Sequence, residues 1–343
     1  MTSSEAREGE IQAVLERRRR DINEEIATEL PIDEPERLYE ASRYLLDAGG
    51  KRLRPALLLL VAEALADVSP GTASYRSFPS LDGETVDVMR AALSIEVIQS
   101  FTLIHDDIMD DDELRRGVPA VHEAFDLETA ILAGDTLYSK AFEIMLETGA
   151  PAERGIQALH ALARTCTQIC EGQSFDIAYE RRADVTIPEY RRMVKLKTAV
   201  LFRAAASVPA ILLGADQETV DALGRYGLAV GEAFQIHDDV LDLTVPSDTL
   251  GKDRGSDLIE GKRTLITLHA QQQGVDVDEI RPTTEAEIDA AVNRLQEAGS
   301  IRYARERARS LIEDGREELA VLPDTEARDL LDDLAVFLVE RGY

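Results

Sequence analysis

The chain has little lysine, little cysteine, few aromatic side chains and no tryptophan. Of its 343 residues, 38 are basic and 66 acidic, which gives a formal charge of −28; only 6 of the basic residues are Lys. That deficit of positive charge excludes a general nucleic-acid binder, which needs a basic footprint. Acid excess with lysine depletion fits a high-salt interior, where screening shortens to a few Å and self-repulsion is tolerated. Two cysteines, Cys166 and Cys170, exclude a disulfide framework; four apart on one helix face, they read as small core residues. No secretory h-region occurs in residues 1–20, and the longest apolar run, Pro55 to Ala62, is too short to span a bilayer. These features predict a cytoplasmic protein without an integral membrane segment.

What is abundant is Ala, Leu, Glu and Arg in long stretches of helical period. Helices are expected over 1–29, 36–48, 55–66, 84–110, 121–147, 152–179, 188–213 and 216–243, then from Thr264 and across the C-terminal 285–341. Ser69 to Gly83, Pro246 to Lys262 and Gly274 to Thr284 read as loops. No convincing run of strands and no 20–50-residue repeat occurs. The expected fold class is all-α, as one large domain over 1–343 with a motif-bearing core at about 36–270.

Two copies of one acidic pattern stand far apart: Asp106-Asp107-Ile108-Met109-Asp110 and Asp238-Asp239-Val240-Leu241-Asp242. Both follow apolar sequence, Ile95 to Ile104 and Ala233 to Ile236. Clustered carboxylates at the end of an apolar helix need cations. The first and last Asp of each triplet are four apart and share a helix face. Such faces suit hard divalent ions completed by water and phosphate oxygens.

Cations accompany the triplets. Gly49-Gly50-Lys51-Arg52-Leu53-Arg54-Pro55 puts a basic turn before a helix N-terminus, which suits a phosphate but by itself also reads as a solvated turn. Arg115-Arg116-Gly117 follows the first triplet and could simply neutralise it. Lys197-Thr198, Gly251-Lys252-Asp253 and Gly261-Lys262-Arg263 hold three of the few lysines. An ammonium is not interchangeable with a guanidinium at a phosphate site, so this retention reads as functional.

Together these motifs resemble the polyprenyl synthetase family of trans-isoprenyl diphosphate synthases. The matching residues are Gly-Gly-Lys-x-x-Arg-Pro at 49–55, Asp-Asp-Ile-Met-Asp through Arg-Arg-Gly-x-Pro at 106–119, and Gly-Gln at 172–173. They continue with Lys-Thr at 197–198, Phe-Gln-x-x-Asp-Asp-x-x-Asp at 234–242, Gly-Lys-Asp at 251–253 and Gly-Lys-x-Thr at 261–264. The resemblance implies the single-domain isoprenoid synthase fold, helices around a central catalytic cavity, and a homodimer. It implies a magnesium cluster of three ions ligated by Asp106, Asp110 and Asp238, with Asp107, Asp239 and Asp242 on metal-bound water. Arg115, Lys197, Lys252 and Lys262 would contact the allylic diphosphate, with Gln235 and Thr198 completing its surroundings. Isopentenyl diphosphate would lie against Lys51, Arg54, Gln99 and Arg116. Gln99 is two helical turns before Asp106 and shares its face.

The implied reaction is head-to-tail condensation of isopentenyl diphosphate with dimethylallyl, geranyl or farnesyl diphosphate. The allylic carbon ionises, the double bond attacks, and a proton is lost to the departing diphosphate. Gln173 and carbonyls near Lys197 and Thr198 would stabilise the cation. Phe101 lies about 7.5 Å and Ile98 ~12 Å before Asp106 along the helix. An aromatic at Phe101 resembles archaeal geranylgeranyl diphosphate synthases, so a mainly twenty-carbon product is expected; Phe101 could also be plain core packing.

Farnesyl or longer-chain synthases are alternatives, and a non-catalytic subunit of a heteromeric synthase is another, though such subunits lose ligands that are kept here. A terpene cyclase would not need the second triplet, Lys51 or Arg54. A calcium-binding protein is disfavoured because no Asp-x-Asp-x-Asp-Gly loop occurs. His105, His237 and His122 are expected in structural roles, and Tyr190 and Phe175 in packing.

Overall fold

The computed structural model describes residues 3–246, 254–277, 280, 282 and 284–340, with side chains 3–6 and 8 left aside. Apart from two minimal hairpins, the described elements are helices, almost all of them α, so the protein is all-α, as its helical periodicity predicts. Its chain packs as two compact units. One contains Met1–Cys166, Leu201–Gly224 and Leu319–Leu334; the other contains Thr167–Val200, Arg225–Glu318 and Ala335–Tyr343.

In the first unit, α1 (Ser3–Glu29), α2 (Glu36–Asp47), α3 (Leu53–Leu65), α4 (Val88–Asp110), α5 (Val121–Ala124) and α6 (Leu127–Leu146) build the core. Nearly every residue of α3 is buried, as expected for a helix that is apolar all round. Pro55 falls in its first turn, where a missing N–H does no harm. Helix α4 packs chiefly against α6 and α3, and is buried from Val88 to Ile98 except at Arg90. One buried charge ties α1 to α3: Glu63 accepts from Arg18, from the Tyr75 hydroxyl (2.7 Å) and from the Gly71 N–H (2.6 Å). With its lone pairs occupied and a cation alongside, this carboxylate is tolerated in the interior.

The expected helix over 121–147 is broken. Phe125 departs from helical geometry, and Asp126 starts α6 by accepting from the Thr129 N–H at 2.7 Å. The loop 69–83 holds a short 3-10 turn, Tyr75–Ser77, and leads into strands Phe78–Pro79 and Thr85–Val86. The other hairpin pairs Leu114–Arg115 with Val118–Pro119. Its two turn residues, Arg116 (φ 56°) and Gly117 (φ 77°), both take the left-handed conformation that two-residue hairpins of this kind require.

The second unit begins within α7 (Ala152–Glu180) and continues through α8 (Ile187–Val194). The turn Lys195–Ala199 is π-helical, and α9 (Val200–Leu213), which belongs to the first unit from Leu201 onward, follows it. Later come α10 (Gln217–Thr244), α11 (Ser256–Glu260), α12 (Leu265–Gln272), α13 (Glu285–Glu297), α14 (Ser300–Glu317) and α15 (Glu326–Glu340), of which α10 up to Gly224 and α15 up to Leu334 belong to the first unit. A short helix thus interrupts the segment expected to be a loop from Pro246 to Lys262. Cys166 is buried as expected, but Cys170 is exposed and is not a core residue. One stretch among the described residues, Ile187–Leu213, is long and apolar enough to cross a membrane, and 72% of its most apolar window is buried inside the protein. Counting uninterrupted apolar runs passes over it because Lys197 and Arg203 break the run; buried to that extent, it behaves as a core helix.

Candidate active site

The first triplet ends α4. Asp111 closes the helix in the left-handed conformation (φ 57°), which frees the chain to turn into the hairpin at 114–119. Helical spacing then sorts the carboxylates. Asp106 and Asp110 share a partly exposed face, while Asp107 is completely buried. Arg115 reaches back from the hairpin to Asp107, its Nε donating at 2.6 Å, and its Nη2 donates to Asp112 at 2.8 Å. Here Arg115 is engaged by carboxylates of its own neighbourhood. Burial lifts the Asp107 carboxyl to about 6, although the Arg115 charge opposes the rise.

The basic turn at 49–55 divides in the same way. Lys51 is exposed and Arg54 is half-buried, its guanidinium 4.4 Å from the centre of the Phe202 ring. Arg52, between them, is 2% exposed and serves the interior. Its Nη2 donates to the Leu46 carbonyl (2.6 Å), its Nε to Asn23 Oδ1 (3.0 Å), and its Nη1 pairs with Glu96. Arg116 donates to the carbonyls of Leu45 (2.8 Å) and Gly49, with Glu96 3.7 Å away. A side chain at Gly50 would start 2.9 Å from the Arg116 guanidinium, so this glycine makes room for the cation. Burial lowers the Arg116 pKa; Glu96 opposes the shift, and the charges of Arg52 and Arg115 add to it. Gln99 is the one partly exposed position between Ala91 and Ser100, on the open side of α4.

Also on α4, the Phe101 ring is partly exposed, with its edge to His105 (5.0 Å between centres) and to Tyr138 of α6 (5.2 Å); Ile98 is fully buried. Tyr138 in turn lies 5.1 Å from Phe142. The His105 ring fits over Gly134, where a Cβ would stand 2.1 Å from Nε2, and its Nε2 lies 3.2 Å from the Ile131 carbonyl. This is the structural role expected for His105.

In the second unit the second triplet ends α10. Asp238 is partly exposed, whereas Asp239 and Asp242 are buried. Asp239 accepts from the Tyr190 hydroxyl (2.6 Å) and from Gln235 Nε2 (3.0 Å), and Gln235 Oε1 accepts from Thr198 Oγ1 (3.0 Å). Tyr190 therefore does more than pack, in contrast to its expected role. Burial, then the Asp257 charge, pushes the Asp239 pKa well up, opposed by those two hydrogen bonds. Asp242 accepts from Ser256 Oγ at 2.8 Å and from the Asp257 N–H at 3.3 Å, capping α11. Asp239 and Asp242 thus have protein donors on both oxygens.

The π-turn Lys195–Ala199 packs against a glycine. Gly172 of α7 lies so close that a Cβ there would stand 2.3 Å from the Lys197 nitrogen. A π-turn widens the helix and loosens its carbonyls, a feature frequent at functional sites. Lys197 Nζ donates to Asp176 Oδ2 at 2.6 Å. Gln173 is 8% exposed, and its Nε2 is buried with no hydrogen-bond partner, as suits a group that faces a ligand. Lys262 pairs with Glu260 at 2.8 Å. Lys252 lies outside the described residues.

Sequence reasoning missed Glu96, Asp176 and Tyr138. A lone carboxylate inside the apolar run Ile95 to Ile98 could have flagged Glu96, and the i, i+3 spacing from Gln173 could have flagged Asp176. Tyr138 carries no local signal, since only the crossing of α4 and α6 brings it to Phe101.

The donor set is one of hard oxygens, and Asp107 keeps a buried Oδ2 with no hydrogen-bond partner. Among the described residues, no three His, Cys, Asp or Glu side chains gather closely enough to hold an ion alone. Oxygen donors of this kind suit hard divalent cations such as magnesium, which keeps several waters and binds through one or two carboxylates together with substrate phosphates.

Comparison with known proteins agrees with this chemistry. The polyprenyl synthetase family matches residues 35–299. A geranylfarnesyl diphosphate synthase of Natronomonas pharaonis is 66% identical over 335 residues, 97% of this chain and 98% of its own. The solved geranylgeranyl pyrophosphate synthetase of Geoglobus acetivorans is 43% identical over 96% of this chain and 100% of its own, with a TM-score of 0.86. A polyprenyl synthase of Caulobacter crescentus, solved with calcium and isoprenyl diphosphate, is 30% identical over 97% and 98%, with a TM-score of 0.82. With most of its length matched and its motifs in order, the chain belongs to the polyprenyl synthetase family of prenyl diphosphate synthases.

Proposed function

We propose that this enzyme condenses isopentenyl diphosphate with dimethylallyl, geranyl and farnesyl diphosphates, with geranylgeranyl diphosphate as the main product. The observation that carries the reading is the sorting of the six triplet carboxylates. Asp106, Asp110 and Asp238 remain partly exposed, while Asp107, Asp239 and Asp242 are buried and engaged by the protein. The three accessible aspartates would ligate magnesium around the allylic diphosphate; the buried three hold them in position. Bound magnesium, three ions in number, would supply Lewis-acid stabilisation of the departing diphosphate.

Arg115, Lys197, Lys252 and Lys262 would meet the same diphosphate, Arg115 and Lys197 by exchanging their carboxylate partners for phosphate. Lys51, Arg54, Gln99 and Arg116 would hold isopentenyl diphosphate. Gln173 and the loosened carbonyls of the π-turn would face the allylic cation, and the apolar surroundings exclude the water that would quench it.

Phe101, partly exposed and braced by Tyr138, would block chain growth at twenty carbons. A second reading, a twenty-five-carbon product, is favoured by the 66% identity to the Natronomonas pharaonis enzyme, which is named a geranylfarnesyl diphosphate synthase. Chromatography of products made from each primer separates the two readings. Metal-dependent incorporation of isopentenyl diphosphate at high salt tests the enzyme itself. No incorporation would leave the non-catalytic subunit as the better reading.

The chain would act as one polyprenyl synthetase domain over 1–343, a reading supported by the assembly of each unit from segments discontinuous in sequence. A homodimer and a cytoplasmic location complete the proposal. Supporting a second copy as partner, α6 exposes Leu127, Ile131, Leu132, Tyr138 and Leu146. Sedimentation equilibrium would show a single 37.8 kDa chain if this is wrong.

A further inference from the structure

We infer that Glu96 is a positioning residue for the second substrate, acting through Arg116; this rests on the reading of Lys51, Arg54, Gln99 and Arg116 as the isopentenyl diphosphate site. Glu96 sits in the buried part of α4, 3% exposed, where an isolated carboxylate would be costly. Two guanidiniums converge on its Oε1: Arg52 in direct contact and Arg116 at 3.7 Å.

The two arginines are not equivalent. Arg52 is completely enclosed, and its Nη2 and Nε donate to the Leu46 carbonyl and to Asn23 Oδ1. Arg116 keeps 19% of its side chain exposed, and its Nη1 is held from behind by the Leu45 and Gly49 carbonyls. Gly50 leaves the space in which this guanidinium lies.

One carboxylate between two guanidiniums neutralises a single charge. The cluster is left with an excess of one positive charge, and the exposed member, Arg116, is where that excess can meet an anion. Glu96 also separates two cations that would otherwise repel each other in a medium of low dielectric. Its work is therefore to fix the direction of the Arg116 fork before substrate arrives, a form of preorganisation that a planar guanidinium exploits better than a flexible ammonium.

The test is Glu96→Gln, which keeps the shape and removes the charge. Calorimetric titration of isopentenyl diphosphate, with no allylic substrate present, reads the binding step without turnover. Binding is expected to weaken tenfold or more, with a matching rise in KM for isopentenyl diphosphate and less than a twofold change in KM for farnesyl diphosphate. In an Arg116→Gln background, the same substitution should add less than twofold. Unchanged binding with only a lowered Tm, or equal loss for both substrates, would overturn the inference. Because Arg52 is buried, Glu96→Gln could fail to fold; Glu96→Asp then carries the test, with an expected threefold to tenfold loss, and unchanged binding again refuting it. Binding without turnover in the unaltered protein would count against the synthase reading and leave the role of Glu96 standing.

Discussion

The two acidic triplets are identical in pattern and differ in how the protein holds them. In the first, a cation restrains the buried member: Arg115 of the adjoining hairpin grips Asp107, and Asp106 and Asp110 are left to the open side. In the second, the restraining hydrogen bonds seen among the described residues come from neutral donors. Tyr190 and Gln235 satisfy Asp239, and Ser256 with the Asp257 N–H satisfies Asp242. A guanidinium that holds a carboxylate can exchange it for a phosphate when substrate arrives. A carboxylate held by a buried tyrosine is fixed for the life of the fold. The first triplet is thus built to respond and the second to stay in place.

The largest expected effects come from the accessible members. Asp106→Asn and Asp238→Asn should each lower turnover by about 10³-fold with Tm changed by no more than a degree or two. Steady-state assay beside thermal unfolding checks this, and a large Tm loss would show that these aspartates are structural after all. Next come the fixed members. Tyr190→Phe leaves an Asp239 oxygen buried without its donor and should cost about 1–3 kcal/mol of stability. Asp242→Ala removes the cap of α11, at about 1–2 kcal/mol. Urea unfolding measures both, and stability equal to the parent's would erase the distinction between the triplets.

Metal and pH sharpen the comparison further. With its carboxyl raised to about 6, folded Asp107 binds more protons than the unfolded chain between roughly pH 4 and pH 6. Metal-free stability should therefore fall as pH rises through that window, by up to ~3 kcal/mol from this group. Magnesium, which favours ionised carboxylates, should raise Tm more at pH 7 than at pH 5. Calorimetry at the two pH values decides it, and an equal shift at both would mean that Asp107 is ionised throughout. The subtlest expected change is in product length. Phe101→Ala should move the distribution one or two five-carbon units longer with turnover held within tenfold, and an unchanged distribution would remove Phe101 as the block.

Much of this was legible in the sequence because the signals are local. Helical period marks the helices, and the i, i+4 spacing puts the first and last Asp of each triplet on one helix face, although burial then separates Asp238 from Asp242. Retained lysines in an arginine-rich chain point to phosphate chemistry. Other features were hidden because their causes lie far away in the chain. Arg52 and Arg54 look alike in the motif at 49–55, yet Arg52 is taken into the interior by Glu96 and Asn23, 44 and 29 positions off. Tyr190 looked like packing because its partner lies 49 positions downstream. Nothing at 195–199 announces a π-turn, which is associated with a glycine on a different helix.

By itself, then, the sequence determined the helical fold class, the carboxylate chemistry and the membership of a diphosphate-using family, since each follows from residue type and short-range spacing. The tertiary structure decided which of several identical side chains stay within reach of solvent. Burial distinguishes Asp106 from Asp107, Asp238 from Asp239 and Arg54 from Arg52, and that is a property of the packed surroundings that no spacing rule contains.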